Sequence, residues 1–421
     1  MKKKKVSTTL LTGAMALTGL MASAPVALRP VTTLAASSNV KATGGSVNIE
    51  KYLVLKSNAE VPNVTFDFSI SGSTEMSAST PVENGLQVYS GTDTSKVTGT
   101  PTIGTAVFKS GDTKYNSVQD LVSNGIQVKE GAKDPVTLKS DQSYAKHDVQ
   151  VDFSGVSFNE PGIYRYKITE STDKTGTVTN DADATRYMDV YVVDAEGNGT
   201  LSVQGYVLHA NDVKVSQDGS SVTSDAKSEG YVNTMEDKDL SIKKQVSGNQ
   251  ASKDEYFKFT LNVKNALPNT TYNVDLSKAD TTTKTNGVNT EAHTNPATFT
   301  TDESGNATVE FWLQHGQEVT VRSLSIGSDY VVSEDKTSMN NEGYTSEIVN
   351  ADDTDGVTNL DFSTNGRIEK ADADEIDITF TNKKSGTIPT GVVMAIAPFA
   401  AVTLFGSAGA ATIVMKKKKN D

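Results

Sequence analysis

Two stretches of this chain alternate with period two and carry a lysine where the apolar row should continue. Val47, Ile49, Lys51, Leu53 and Leu55 fall on one face of a strand, and so do Leu240, Ile242, Lys244 and Val246. Alternate side chains of a strand point the same way, so each lysine faces what its row faces. Lys243 points the other way and reads as a surface lysine. The same test finds acids: Tyr164, Tyr166, Ile168 and Glu170 share a face, as do Tyr330, Val332 and Glu334. It finds asparagines too, in Tyr231, Asn233 and Met235 and in Ile376, Ile378, Phe380 and Asn382. Singly, a row-end lysine snorkels to water and a strand-end glutamate or asparagine faces solvent or starts a turn. Here the order Lys, Glu, Asn occurs twice, as Lys51, Glu170, Asn233 and then Lys244, Glu334, Asn382. That repetition predicts two similar domains in tandem, each with one inward-facing triad.

Burial dictates what such a triad can do. A lysine in an apolar core loses affinity for its proton, and a buried carboxyl gains it. A neutral lysine is a nucleophile. A protonated glutamate can polarise the asparagine side-chain carbonyl and move protons as ammonia leaves. The expected product is a Lys–Asn isopeptide bond in each domain, Lys51 to Asn233 and Lys244 to Asn382, with Glu170 and Glu334 as the catalytic groups. It forms once, without a cofactor, so the chain is not expected to be an enzyme with turnover.

Composition narrows the alternatives. The 421 residues contain no cysteine, which excludes disulfides, cysteine-ligated metal and cysteine nucleophiles. Acidic residues outnumber basic ones 52 to 39, which argues against nucleic acid as a partner. His147, His209, His293 and His315 are scattered without metal-ligand spacing, so no metal site is expected. There is no GxSxG elbow and no glycine-rich phosphate loop before a helix. Short alternating runs and abundant turn residues predict an all-β chain of two tandem immunoglobulin-like sandwiches.

The two ends read as addresses. Lys2 to Lys5, a weakly apolar stretch from Leu10 to Leu28, and Ala35-Ala36 have the layout of a secretory signal, expected to span residues 1–36. Residues 392–415 carry no charge and are long enough to cross a ~30 Å hydrocarbon core as a helix. Lys416 to Lys419 follow and would hold that end in the cytoplasm. Just before this stretch stands Thr387-Ile388-Pro389-Thr390-Gly391. Pentapeptide, apolar span and basic tail together resemble a Gram-positive LPxTG-like sorting signal, with isoleucine in place of leucine, similar to the variants handled by pilus-type sortases. The resemblance implies cleavage between Thr390 and Gly391 and transfer of Thr390 to an amine. The exported part, about residues 37–390, would hold 30 basic and 51 acidic residues, a net charge near −21.

The stretches Val47-Asn48-Ile49-Glu50-Lys51, Pro161 to Glu170, Ile242 to Gly248, Asp329 to Glu334 and Ile378 to Lys384 together resemble the streptococcal T-antigen-type backbone pilins. The resemblance is weakest from about Ile70 to Gln150. It implies two tandem CnaB-like β-sandwiches, an N-terminal isopeptide domain over residues 37–236 and a second over 237–386, with the sorting signal over 387–421. It further implies a covalent homopolymer of identical subunits built by a pilus-type sortase, joined by minor pilins and attached to peptidoglycan. The acceptor amine in such a family lies shortly before the bonded asparagine of the first domain, which points to Lys227, with Lys214 as runner-up. A monomeric wall-anchored adhesin, with the triads serving stability alone, is the alternative reading.

Overall fold

A computed structural model of the chain describes residues 41–73, 82–83, 86–126, 135–171, 176–210, 227–335, 342–350 and 362–387. The signal segment, the Ile388–Gly391 motif, the 392–415 span and Lys214 lie outside the described residues. Among the described residues no helix is long and apolar enough to cross a membrane. The described residues are almost entirely β, and their strands form two sandwiches in tandem, one built from strands up to Met235 and the other from strands beginning at Asp237.

The two sandwiches share a frame. In the first, the opening strand Ser46–Lys56 runs antiparallel to Gln142–Asp152 on one side and parallel to the closing strand Gly230–Met235 on the other. In the second, Asp237–Ser247 lies between antiparallel Glu318–Ser325 and parallel Glu375–Lys383. The facing sheet of the first domain centres on Gly162–Glu170, flanked by Phe68–Gly72 and Thr185–Val193. In the second it centres on Phe257–Lys264 and Asp329–Glu334. Each pair of sheets encloses one apolar core. First and last strands of each domain are thus hydrogen-bonded neighbours, although they stand at opposite ends of the domain's sequence.

Registers match as well as topology. Asn233 pairs with Leu53, two residues beyond Lys51, and Asn382 pairs with Val246, two residues beyond Lys244. Gly230 fixes the first of these registers by close approach. A Cβ there would lie 1.7 Å from the Glu50 carbonyl oxygen, so only glycine lets the closing strand enter at this point.

The region of weakest resemblance carries the main difference between the domains. Its short strands and one six-residue helix, Val118–Ser123, build a satellite cluster of Leu121, Tyr115 and Tyr144 on the outer side of the sheet, against Tyr52 and Val54. Ser117 caps the helix by accepting the Asp120 N–H at 3.2 Å. The opening strand is therefore buried on both faces, which is why the row Tyr52, Val54 is as apolar as the row Leu53, Leu55.

Only Glu236 separates the two sandwiches. Lys56 Nζ reaches Asp237 at 2.9 Å and Asp239 at 3.2 Å, and Arg322 also holds Asp239, at 2.8 Å. Asn63 N donates to Thr270 Oγ1 at 3.3 Å, and Asn273 Nδ2 donates to the Asn58 carbonyl at 2.7 Å. The end of the first domain's opening strand and the loop after it are thus tied to strands of the second domain and to Thr270.

Candidate functional site: two buried Lys–Glu–Asn triads

All six triad side chains lie inside the sandwiches. Lys51, Lys244, Asn233 and Asn382 are each 0% exposed, and Glu170 and Glu334 are nearly so. In each domain the lysine and asparagine come from adjacent parallel strands of one sheet. The glutamate comes from the end of a strand in the opposite sheet and points across the core.

Lys51 Nζ stands 2.6 Å from Glu170 Oε1, and Lys244 Nζ stands 2.7 Å from Glu334 Oε1. Each ammonium also sits over an aromatic face, Lys51 at 4.4 Å from the Phe66 ring and Lys244 at 4.3 Å from the Phe257 ring. The phenylalanine two residues further on occupies the same place in both domains: Phe68 pairs with Glu170 and Phe259 pairs with Glu334. Phe-x-Phe is thus a fourth element of the repeat, providing a ring over the lysine and a strand partner for the glutamate. It was present in the sequence as Phe66-Asp67-Phe68 and Phe257-Lys258-Phe259. The period-two reading passed over it because a phenylalanine in an apolar row signals nothing by itself.

In the second domain Asn382 Nδ2 donates to Glu334 Oε1 at 2.8 Å. In the first, the Asn233 amide faces Glu170 and favours its charged form, although Nδ2 makes no aligned hydrogen bond among the described residues. Asn233 Oδ1 instead accepts the backbone N–H of Asp181 at 2.9 Å. This differs from the sequence expectation that the glutamate would polarise the asparagine carbonyl. The glutamate meets the nitrogen that has to leave, and in the first domain a backbone amide meets the oxygen.

The electrostatics drive each pair toward its neutral form. Burial brings Lys51 and Lys244 down to about 8, against the pull of Glu170 and Glu334 in the other direction. Burial likewise raises Glu170 and Glu334, and the lysines oppose it only in part. Moving one proton between two such groups inside a core costs far less than it would in water. Lysine nitrogen, asparagine amide and proton carrier are packed together, which is what attack on the amide requires.

Lys227 is exposed and bridges to His209 across a strand edge. Nothing in the sequence reading anticipated the cluster behind it. Arg165 makes a bidentate pair with Asp189, at 2.7 and 2.6 Å, and His209 Nε2 lies 3.2 Å from the same carboxylate, all of them buried. Alternation assigned Arg165 to the face opposite Tyr164 and Tyr166, which is correct, but that face is covered as well.

Comparison with known proteins defines the class. Residues 47–234 match a family model described as a Spy0128-like isopeptide containing domain, and residues 238–384 match a model described as a domain of unknown function. A pilin of Streptococcus pyogenes serotype M1 is 32% identical over 271 residues, which cover 64% of this chain and 71% of that pilin. The chain belongs to this family of isopeptide-containing pilins, structural proteins of bacterial surface pili. Among solved structures, the major pilin of Streptococcus pyogenes aligns over 82% of this chain and 99% of its own, at 21% identity and a TM-score of 0.48. The T-13 major pilin of the same species aligns over 82% of this chain at 20% identity, with a TM-score of 0.46.

Proposed function

We propose that this pilin is the backbone subunit of a covalent surface pilus and that it closes each of its two domains with a self-formed Lys–Asn bond. The observation that carries the reading is the duplicated triad: the same three residue types, in the same strands, at the same register, both fully buried. One such arrangement is a buried ion pair, for which burial generally costs as much as pairing returns. Two of them, each beside an asparagine on the closing strand, are reactants in place.

The chemistry balances within each domain. Neutral Lys51 Nζ attacks Asn233 Cγ, and neutral Lys244 attacks Asn382 Cγ. The new N–C bond replaces Cγ–Nδ2. The glutamate gives a proton to the departing nitrogen and takes one from the attacking nitrogen, so it ends as it began and one ammonia leaves. Each bond joins the first and last strands of its domain, so tension entering at one end bypasses the hydrogen-bonded sheet. The domains are taken as residues 37–236 and 237–386, after removal of a signal over 1–36.

The polymer itself is assigned to a pilus-type sortase that acts at Ile388-Pro389-Thr390-Gly391 and transfers Thr390 to Lys227 of the next subunit, with minor pilins and peptidoglycan as further partners. Exposure of Lys227 at the edge of the first domain supports its choice. On the native cell surface, wild-type protein is expected to give an SDS-resistant ladder of multimers, which Thr390→Ala abolishes and Lys227→Arg collapses to monomer. A single wall-released species from the wild type would instead make this chain a monomeric adhesin. A ladder that survives Lys227→Arg would move the acceptor to another lysine.

A further inference from the structure

The first triad has a neighbour that its reaction has not yet used. Asp181 lies in the loop before strand Thr185–Val193, and its backbone N–H points at Asn233 Oδ1, 2.9 Å away. Its carboxylate Oδ2 accepts the N–H of Val232, the residue preceding Asn233, at 2.8 Å. The same oxygen accepts Arg186 Nη2, also at 2.8 Å. Arg186 in turn is held on several sides. Its Nε donates to Ser228 Oγ at 2.9 Å, its Nη1 to the Thr185 carbonyl at 3.0 Å, and its guanidinium lies 4.8 Å from the Tyr231 ring. The loop is therefore stapled to the strand that carries the reacting amide, one residue before that amide.

We propose that Asp181, locked by Arg186 and Val232, is a positioning residue for the Lys51–Asn233 bond, holding its own backbone N–H as the oxyanion donor for Asn233 Oδ1. As Lys51 Nζ adds to Cγ, the carbonyl electron pair moves onto Oδ1, and a fixed N–H in a dry core stabilises that charge without reorganisation. The role complements that of Glu170, which serves the nitrogen side of the same amide. The pairing of Asp181 with Arg186 also lets a carboxylate stand beside the triad at small electrostatic cost. Asp181 favours the Lys51 ammonium, and Arg186 opposes it.

The inference rests on the proposed self-formed bond, and the second domain separates the two questions. The full chain is synthesised in a cell-free system and sampled over time. Digestion and mass spectrometry then quantify the Lys51–Asn233 and Lys244–Asn382 cross-linked peptides from the same molecules. Asp181→Ala should slow the first bond at least about tenfold, a part of the ~10²–10³ that losing a whole oxyanion donor costs, and leave the second at its wild-type rate. Asp181→Asn keeps an oxygen for the Val232 N–H and should recover most of the loss, which a general folding defect would not allow. A first bond that forms at the wild-type rate in Asp181→Ala, or both bonds slowed alike, overturns the proposal. A wild-type chain that forms neither bond overturns the reading beneath it instead.

Discussion

The two domains solve one problem with the same inner parts and different surroundings. Lysine, glutamate, asparagine and the Phe-x-Phe pair superimpose in strand, register and distance, with Nζ–Oε1 separations of 2.6 and 2.7 Å. Around them the domains diverge. The first triad is flanked by the Asp181–Arg186 pair, and its opening strand is buried under an added cluster. The second has Glu255 nearby, a buried carboxyl that accepts the Tyr344 hydroxyl at 3.0 Å. What the proposed reaction needs is the same in both domains, and what would modulate its rate or pH response differs.

The largest effect expected on both domains comes from the double variant Glu170→Ala, Glu334→Ala. It should lose no ammonia and should leave two buried lysines without partners. Each domain would forgo about 5 kcal/mol of closure stabilisation, if a disulfide is a fair guide, and would suffer ~3–5 kcal/mol from an unpaired buried charge. The thermal midpoint should fall on the order of 20 °C, with a matching loss of protease resistance. Unchanged heat and protease resistance would sink the covalent account.

Single removal of the electrophile compares the domains more finely. Asn233→Ala and Asn382→Ala each keep the Lys–Glu pair and open one closure. The loops enclosed are about 180 and 140 residues, so their entropic terms differ by only a few tenths of a kcal/mol. Calorimetry should show near-equal destabilisation of the two domains, ~5 kcal/mol each. A strongly unequal result would mean that the added cluster of the first domain stabilises it independently of the bond.

The pH response follows from the shared proton. The reactive pair, neutral lysine with protonated glutamate, holds one proton in total. It is lost as pH rises through the lysine value of about 8. Formation of both bonds in freshly made protein should therefore fall above about pH 8. A rate that climbs steadily beyond it would show that an ionised glutamate suffices. One source of a difference between the domains is Glu255, which burial, with Glu342 beside it, raises to about 7 and whose charge favours the Lys244 ammonium. Glu255→Gln should move the fall of the second bond to lower pH, since relief of a nearby negative charge lowers the lysine value through which the shared proton is lost, and should leave the profile of the first unchanged. An equal shift of both profiles would discard Glu255 as a source of asymmetry.

What could be read from the sequence was what a strand's own alternation displays. Lys51 and Lys244 stood out because a lysine is conspicuous in an apolar row, and Glu170, Glu334, Asn233 and Asn382 because they too stood in apolar rows. The duplicated order turned six weak signals into one strong one. Residues that matter through the backbone or through a neighbouring loop were not legible. Asp181 acts at Asn233 by its N–H, which no side-chain pattern encodes. Arg165 pairs with Asp189 on a face that alternation treats as exposed, because only the tertiary fold shows that this face is covered. The short helix at Val118–Ser123 has one buried residue, Leu121, and so too little apolar periodicity to announce itself.

The most direct test is the intact mass of the exported region, residues 37–390, produced without any sortase. The account predicts a mass lower than the sequence mass by two molecules of ammonia, with peptide mapping that joins Lys51 to Asn233 and Lys244 to Asn382. A mass equal to the sequence mass would contradict it, leaving two buried ion pairs beside two unreacted asparagines.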